Sequence, residues 1–163
     1  NAGFNATTDQ NDNWRTPDWL YKALDAEFAF DCDAAADATN TKCDSFIDQI
    51  GGYHLHTDPP QGSRFFCNPP YSNILPFVKR ALDGTCLWVF ILPVRTRTEW
   101  FEMLRNSSRV RFRWLRKRIA FDVAVGGYIP KGQTTPVFEA EAPRMDCFIA
   151  IVRPEQPVAV RQR

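Results

Sequence analysis

Residues 64–71 of the chain read RFFCNPPY, a short apolar run that stops at two consecutive prolines. Arg64 to Cys67 predicts a buried strand. Asn68 to Tyr71 follows at once, and its prolines fix the backbone and lack amide hydrogens. Because ligands of α/β proteins bind beyond the carboxyl ends of the sheet strands, this segment lies where a binding site is expected.

Helical and strand patterns alternate on both sides of this stretch. Helices are predicted from Pro17 to Phe28, with Thr16 as the N-cap, from Ile74 to Leu82, and from a Thr98 cap to about Arg105. Further strands are predicted at residues 29–32, 86–92, 109–114, 119–125 and 147–152. The alternation predicts an α/β fold with a mostly parallel sheet, and the group of late strands predicts an antiparallel edge.

The composition favours one compact domain. A chain of 163 residues with 44% hydrophobic content can bury one sizeable core, which we assign to residues 14–153. Residues 1–13 are polar and are expected to form a flexible arm, and residues 154–163 a frayed tail. Five cysteines without a C-x-x-C pair favour reduced thiols, and no apolar run of about 18 residues is present. We therefore expect a soluble, cytoplasmic protein.

The Asn68 to Tyr71 segment carries groups suited to an amino substrate. The Asn68 side chain and the carbonyls beside the two prolines are hydrogen-bond acceptors, which can hold an exocyclic amino group and draw electron density toward its nitrogen. Tyr71 offers a flat ring on which a base can stack. The alternative is a stiff Pro-Pro turn with Tyr71 as a core aromatic. The placement after a strand favours methylation of an amine.

Basic residues concentrate in the second half of the chain. A strand with one arginine face, running into Arg116-Lys117-Arg118, can follow a nucleic-acid backbone, and the alternative is a solvated edge strand protected by its charges. Arg95 and Arg97 follow the strand that ends at Leu92, where contact with DNA competes with pairing to acidic neighbours. The DNA-contact candidates are Arg95, Arg97, Arg111, Arg113, Arg116, Lys117 and Arg118.

A metal site is not predicted. His54, His56 and Asp58 are close in sequence, but three ligands on a loop without a fourth partner make a weak site. We interpret them as loop residues.

Several motifs occur together in a recognisable order. They are Trp14-Arg15-Thr16-Pro17, the run from Phe30 to Ala36, Cys43 with Phe46, the run from Phe66 to Tyr71, Leu92 to Thr98 with Trp100-Phe101, and Arg118 to Phe121. In these motifs the chain resembles the phage and prophage DNA N-6-adenine methyltransferases of the Dam type. The resemblance implies a Rossmann-like fold that uses S-adenosylmethionine, and a location in the cytoplasm of the host cell.

The resemblance also implies roles for individual residues. Asn68 and the Pro69 carbonyl hold the adenine amino group, Pro70 completes the segment, and Tyr71 stacks on the flipped base. The residues assigned to the cofactor are Trp14, Thr16, Pro17 and either Asp31 or Asp33. The alternative for the two aspartates is a pair of capping carboxylates. The glycine-rich turn of many S-adenosylmethionine enzymes is replaced here by three alanines after Asp33.

The expected activity is therefore methyl transfer from S-adenosylmethionine to N6 of a flipped adenine in DNA. RNA or a protein glutamine amide presents a similar planar amino group, and the arginine-rich strand favours nucleic acid without separating DNA from RNA. A DNA-binding module without catalysis is the alternative from another class. The partners are DNA and a small methyl donor, with no membrane, and the sequence leaves the oligomeric state and the target sequence open.

Overall fold

The computed structural model describes residues 14–36, 40–47, 62–123, 134 and 144–155. The predicted N-terminal arm, the histidines at 54 and 56, and most of the predicted loop 126–144 and C-terminal tail lie outside these residues. Three helices are described: α1 (Asp18–Phe28), α2 (Leu75–Asp83) and α3 (Glu99–Asn106). The described strands are β1 (Trp14–Arg15), β2 (Cys32–Asp33), β3 (Ser45–Phe46), β4 (Arg64–Cys67), β5 (Leu87–Pro93), β6 (Val110–Trp114), β7 (Ile119–Ala120), β8 (Asp122–Val123), β9 (Arg144–Met145) and β10 (Cys147–Val152).

Six of these strands form the main sheet, in the order β3-β2-β4-β5-β10-β6. The strands β3, β2, β4 and β5 are parallel to one another, which confirms the predicted mostly parallel sheet. Their carboxyl ends therefore meet on one side, which we call the carboxyl end of the sheet. Asn68 follows β4 directly at this end, as the sequence predicts.

The antiparallel edge that the sequence predicts is present, because the edge strand β6 is antiparallel to its neighbour β10. The antiparallel strand is β10, which lies between β5 and β6 and is antiparallel to both, so the edge strand β6 runs in the same direction as β5. Burial explains the order of β10 and β6 in the sheet. All six residues of β10 are buried, whereas most of β6 is not, so the apolar strand takes the inner place and the arginine-bearing strand the edge.

Helices cover the two faces of the sheet. Tyr21 of α1 packs edge-on against Phe66, at 5.1 Å between ring centroids, on one face. Phe101 of α3 contacts Phe148 at 5.8 Å on the other face, where α2 also packs against α3. The core between these layers contains large rings such as Trp88, which stacks on Phe65 at 4.6 Å.

The helix starts agree with the sequence in one case and differ in another. Thr98 caps α3, because its hydroxyl accepts a hydrogen bond from the Phe101 amide at 3.3 Å. Thr16 does not cap α1. Pro17 occupies the N-cap position without a side-chain hydrogen bond, since its extended backbone shifts the helix start to Asp18. The Thr16 hydroxyl is thereby left to bond elsewhere. Within the described residues, no helix has the length and apolar character to cross a membrane.

Candidate active site

Asn68 lies at the carboxyl end of β4 and is half-buried. Its side-chain Nδ2 donates a hydrogen bond to the Thr16 hydroxyl at 3.1 Å, across 52 residues of sequence. The Thr16 side chain is buried, at 3% exposure. The structure therefore joins a predicted catalytic residue to a predicted cofactor residue, and it gives the Asn68 amide a defined orientation.

The two prolines form the turn after β4. Pro69 is buried and Pro70 is half-buried. The Pro70 carbonyl accepts a hydrogen bond from the Asn73 amide at 2.9 Å, which closes the turn before α2. Because prolines donate no hydrogen bonds, the segment needs donors from other elements to hold it.

Tyr71 is a buried ring in this structure. It is 4% exposed, and its hydroxyl donates to the Ile91 carbonyl at 3.4 Å and lies 3.8 Å from Cys147 Sγ. The Phe121 ring contacts it edge-on at 6.1 Å. Burial raises the pKa of the Tyr71 phenol well above its ordinary value, so the group stays neutral. Tyr71 is placed here as a core aromatic, and stacking on a base requires its ring to be uncovered.

Arg95 binds the Asn68 to Tyr71 segment from the side of β5. Its Nη1 donates to the Tyr71 carbonyl at 2.9 Å, and its guanidinium carbon lies 6.0 Å from the centre of the Tyr71 ring. Arg95 was predicted as a DNA contact. In this structure its partner is the candidate catalytic segment itself, so it holds that segment in place.

The structure separates the two candidate aspartates. Asp31 is exposed and its Oδ2 accepts the Arg64 amide at 2.9 Å, which joins β4 to the residue before β2. Asp33 ends β2 and is buried, at 3% exposure. Its Oδ1 accepts the Ala35 amide at 3.2 Å and its Oδ2 the Lys42 amide at 3.0 Å. Of the two, Asp33 is the one at the carboxyl end of the sheet.

The predicted DNA contacts fall into two groups. Arg97, Arg116 and Lys117 are exposed and follow β5 or β6, at the carboxyl end of the sheet. Arg118 follows β6 as well, but it is paired with Asp146 at 3.1 Å.

Arg111 and Arg113 lie within β6, on the face that carries α1. Arg113 forms a bidentate salt bridge with Glu27 at 2.7 and 2.8 Å. Arg111 donates to the backbone carbonyls of Ser108 and Val110. These partners within the chain favour the predicted alternative of a protected edge strand.

The Trp14-Arg15-Thr16-Pro17 motif is connected to the site through a short two-stranded sheet. In it, β1 pairs with β8, with Trp14 opposite Val123 and Arg15 opposite Asp122. Thr16 follows β1 and bonds Asn68. The side chain of Trp14 lies outside the described part of the chain, so its predicted cofactor contact stays a prediction.

Two residues that contact the site were not among the predicted site residues. Phe121 packs against Tyr71, and the Lys42 amide closes the loop onto Asp33. Phe121 belongs to the Arg118 to Phe121 motif, which was the available signal for it. No local pattern indicates that Lys42 lies near Asp33.

A pH-dependent stability is expected from Asp33. Burial raises the pKa of this carboxyl from 3.8 to about 6, against the opposing effect of the Lys42 and Ala35 amides. A raised pKa in the folded state means that the stability contributed by Asp33 is greatest at low pH and is lost as the pH rises through about 6. The expected loss is on the order of 3 kcal/mol.

Urea unfolding of the wild type and of Asp33→Asn between pH 4 and pH 8 measures this effect. Because asparagine does not titrate, the free energy of unfolding of the wild type relative to the variant should fall between pH 4 and pH 7 and stay level above. Two curves that run parallel across this range contradict the assignment to Asp33.

Comparison with known proteins identifies proteins that are similar to this chain. A family model described as DNA N-6-adenine-methyltransferase (Dam) matches residues 3–160. A DNA N-6-adenine-methyltransferase of Haemophilus phage HP1 (strain HP1c1) is 36% identical over 113 residues, which are 65% of this chain and 64% of that protein. A DNA N-6-adenine-methyltransferase of Escherichia phage T1 is 27% identical over 135 residues, 80% of this chain and 56% of that protein. The matched part thus spans less than two thirds of the length of either relative.

Proposed function

Because the chain belongs to the DNA N-6-adenine-methyltransferase (Dam) family, we propose that it transfers a methyl group from S-adenosylmethionine to N6 of an adenine in DNA. The observation that carries the proposal is the placement of Asn68 at the carboxyl end of β4, with its side-chain amide held by Thr16. In a mostly parallel sheet this is the position where a ligand binds. A Rossmann-like methyltransferase fold is part of the same proposal.

The amino group is held by acceptors of the Asn68 to Tyr71 segment. Asn68 Oδ1 and the Pro69 carbonyl accept the two N6 hydrogens, which turns the nitrogen lone pair toward the methyl donor. As the nitrogen attacks, it gains positive charge, and these acceptors stabilise that charge. No general base is required before attack, because the nitrogen loses its proton after the new bond has formed.

The carboxyl end of the sheet also has groups that fit S-adenosylmethionine. Asp33 is a buried acceptor there, and a carboxylate has about four acceptor sites, of which the Ala35 and Lys42 amides use two. Asp33 and Pro17 are the residues proposed to hold it. When bound, S-adenosylmethionine supplies an electrophilic methyl group. The residues of the chain supply orientation and exclusion of water.

The target adenine reaches this site by flipping out of the duplex. Tyr71 is the proposed stacking partner, and its buried ring must then be exposed when DNA binds. Its neighbour Phe121 and the Arg95 guanidinium are the groups that have to move. The free energy needed to uncover the Tyr71 ring contributes to selectivity for the target base, because only a base that stacks well on the ring offsets it.

Phosphate contact is proposed for the exposed basic residues at the carboxyl end of the sheet, Arg97, Arg116 and Lys117. They lie on the same side as Asn68, so DNA bound there places a flipped base near the site. Each phosphate that they neutralise releases counterions, which makes binding depend on salt. Arg111, Arg113 and Arg118 have partners within the chain and are weaker candidates.

Transfer of tritiated methyl groups from S-adenosylmethionine tests the proposal. Duplex DNA, RNA and a mixture of proteins are compared as acceptors, and labelled DNA is digested to nucleosides. We expect label in N6-methyl-2′-deoxyadenosine from the digested DNA. Label confined to RNA or protein assigns the activity to another planar amino substrate, and no transfer despite cofactor binding by calorimetry contradicts the proposed enzyme.

A further inference from the structure

The β1–β8 ribbon, formed by residues 14–15 and 122–123, connects to both ends of the Asn68 to Tyr71 segment. Thr16 follows β1 and accepts a hydrogen bond from Asn68. Phe121 precedes β8 and its ring packs edge-on against Tyr71. Both contacts are formed by buried side chains, since Thr16 is 3% exposed and Phe121 is 2% exposed. The ribbon therefore holds the first and the last residue of the segment together.

The Thr16 hydroxyl contacts the side-chain amide of Asn68, which is the group proposed to bind the substrate. A side-chain amide has a donor end and an acceptor end, and rotation about its last bond exchanges them. In this structure Nδ2 faces Thr16, so Oδ1 points to the other side of the amide. A substrate amino group needs the acceptor end, because the amide NH₂ in its place sets two donors against each other.

The position of Thr16 is itself fixed from two sides. The pairing of Arg15 with Asp122 sets the chain before it, and Pro17 with φ −59° sets the chain after it. A buried hydroxyl on such a segment loses little further freedom when it bonds Asn68. This makes Thr16 a rigid partner for the amide.

We infer that Thr16 is a positioning residue for methyl transfer, whose hydroxyl keeps the Asn68 amide turned with Oδ1 toward the incoming amino group. This inference rests on the proposed function, because it concerns the orientation of the acceptor in that same site. It differs from a contact between Thr16 and the methyl donor. A contact with S-adenosylmethionine changes the affinity for that cofactor, whereas a positioning contact changes the rate of methyl transfer.

The test compares Thr16→Val, which removes the hydroxyl at nearly constant shape, with Thr16→Ser, which keeps it. Ser107→Ala is the matched control, because it removes a hydroxyl that accepts the Arg109 amide at 3.3 Å near the opposite end of the sheet. Single-turnover transfer to DNA gives the rate constant, and calorimetry gives the affinity for S-adenosylmethionine. Nuclear magnetic resonance of the Asn68 side-chain amide, identified by its loss in Asn68→Ala, reports its orientation without any need for activity.

For Thr16→Val we expect a single-turnover rate constant about tenfold lower than that of the wild type, which corresponds to the loss of one hydrogen bond. The affinity for S-adenosylmethionine should be unchanged. The Asn68 amide signals should shift in Thr16→Val and stay in place in Thr16→Ser and Ser107→Ala, and Thr16→Ser should transfer at nearly the wild-type rate. If Thr16→Val does not fold, Thr16→Ala takes its place.

Three results overturn the inference: an unchanged rate constant in Thr16→Val, a loss of donor affinity by the same factor as the rate, or a Thr16→Ser variant as slow as Thr16→Val. Failure of the proposed function is recognised separately. In that case the wild type transfers nothing to DNA, while the amide signals still report whether Thr16 holds Asn68.

Discussion

Replacing Asn68 by alanine is expected to lower methyl transfer to adenine by about a hundredfold to a thousandfold while the protein stays folded. The variant removes an acceptor aimed at the nitrogen that becomes positively charged, and loss of one such oriented group typically has this effect on the rate. The folded structure loses the hydrogen bond to Thr16 from a half-buried side chain. That costs about 1 kcal/mol.

Single-turnover transfer and urea unfolding measure the two effects of Asn68→Ala. Asn73→Ala is the matched control, because Asn73 is exposed in the same turn and contributes its backbone amide, which alanine retains, to the Pro70 carbonyl. The control should transfer at the wild-type rate. If Asn68→Ala transfers as fast as Asn73→Ala, Asn68 is not the acceptor for the amino group.

Replacing Tyr71 by alanine is expected to destabilise the protein by about 3–5 kcal/mol in addition to ending transfer. This differs from the expectation for an exposed stacking ring, whose removal leaves the fold intact. The ring is 4% exposed and packs against Phe121, so alanine leaves a cavity at the carboxyl end of the sheet. Tyr71→Phe keeps the ring and gives up only long hydroxyl contacts, so its stability should fall by about 1 kcal/mol or less.

Thermal or urea unfolding, combined with transfer assays, separates packing from stacking. Phe77→Ala is the control, because Phe77 on α2 is buried to the same 4% exposure. We expect both alanine variants to lose comparable stability, and Phe77→Ala to retain transfer under conditions where it is folded. Tyr71→Phe should retain transfer as well. A Tyr71→Ala variant as stable as the wild type contradicts the buried position, and full transfer by that variant contradicts any role in stacking.

Some elements follow the local sequence closely. Others do not: the strand predicted at residues 29–32 is found at Cys32–Asp33, and the described part of the strand predicted at residues 119–125 is divided into β7 and β8. The strand β4 begins and ends where the apolar run of residues 64–67 does, and α3 begins after the Thr98 cap. These features follow from propensity, capping and the missing amides of proline, which act between residues a few positions apart. The placement of Asn68 at a strand end followed from the same local signals.

The arrangement of the elements was predicted less well. The sequence predicts an antiparallel edge but not that β10 lies between β5 and β6, because burial on both faces is decided by the whole set of strands. Arg113 was expected to contact DNA and is paired with Glu27, which is 86 positions away. Partners at such separations cannot be read from a single sequence, since the hydrophobic pattern specifies which faces are buried but not which elements meet.

The sequence by itself determined which residues are proposed as acceptors, the strand that presents them and the family to which the chain belongs. Tertiary structure alone decided that Thr16 holds Asn68, that Arg95 holds the Tyr71 carbonyl, that Tyr71 is buried, and that Asp33 rather than Asp31 lies at the carboxyl end of the sheet. The physical reason is that acceptor chemistry belongs to each residue. Orientation and burial depend on packing between segments far apart in the chain.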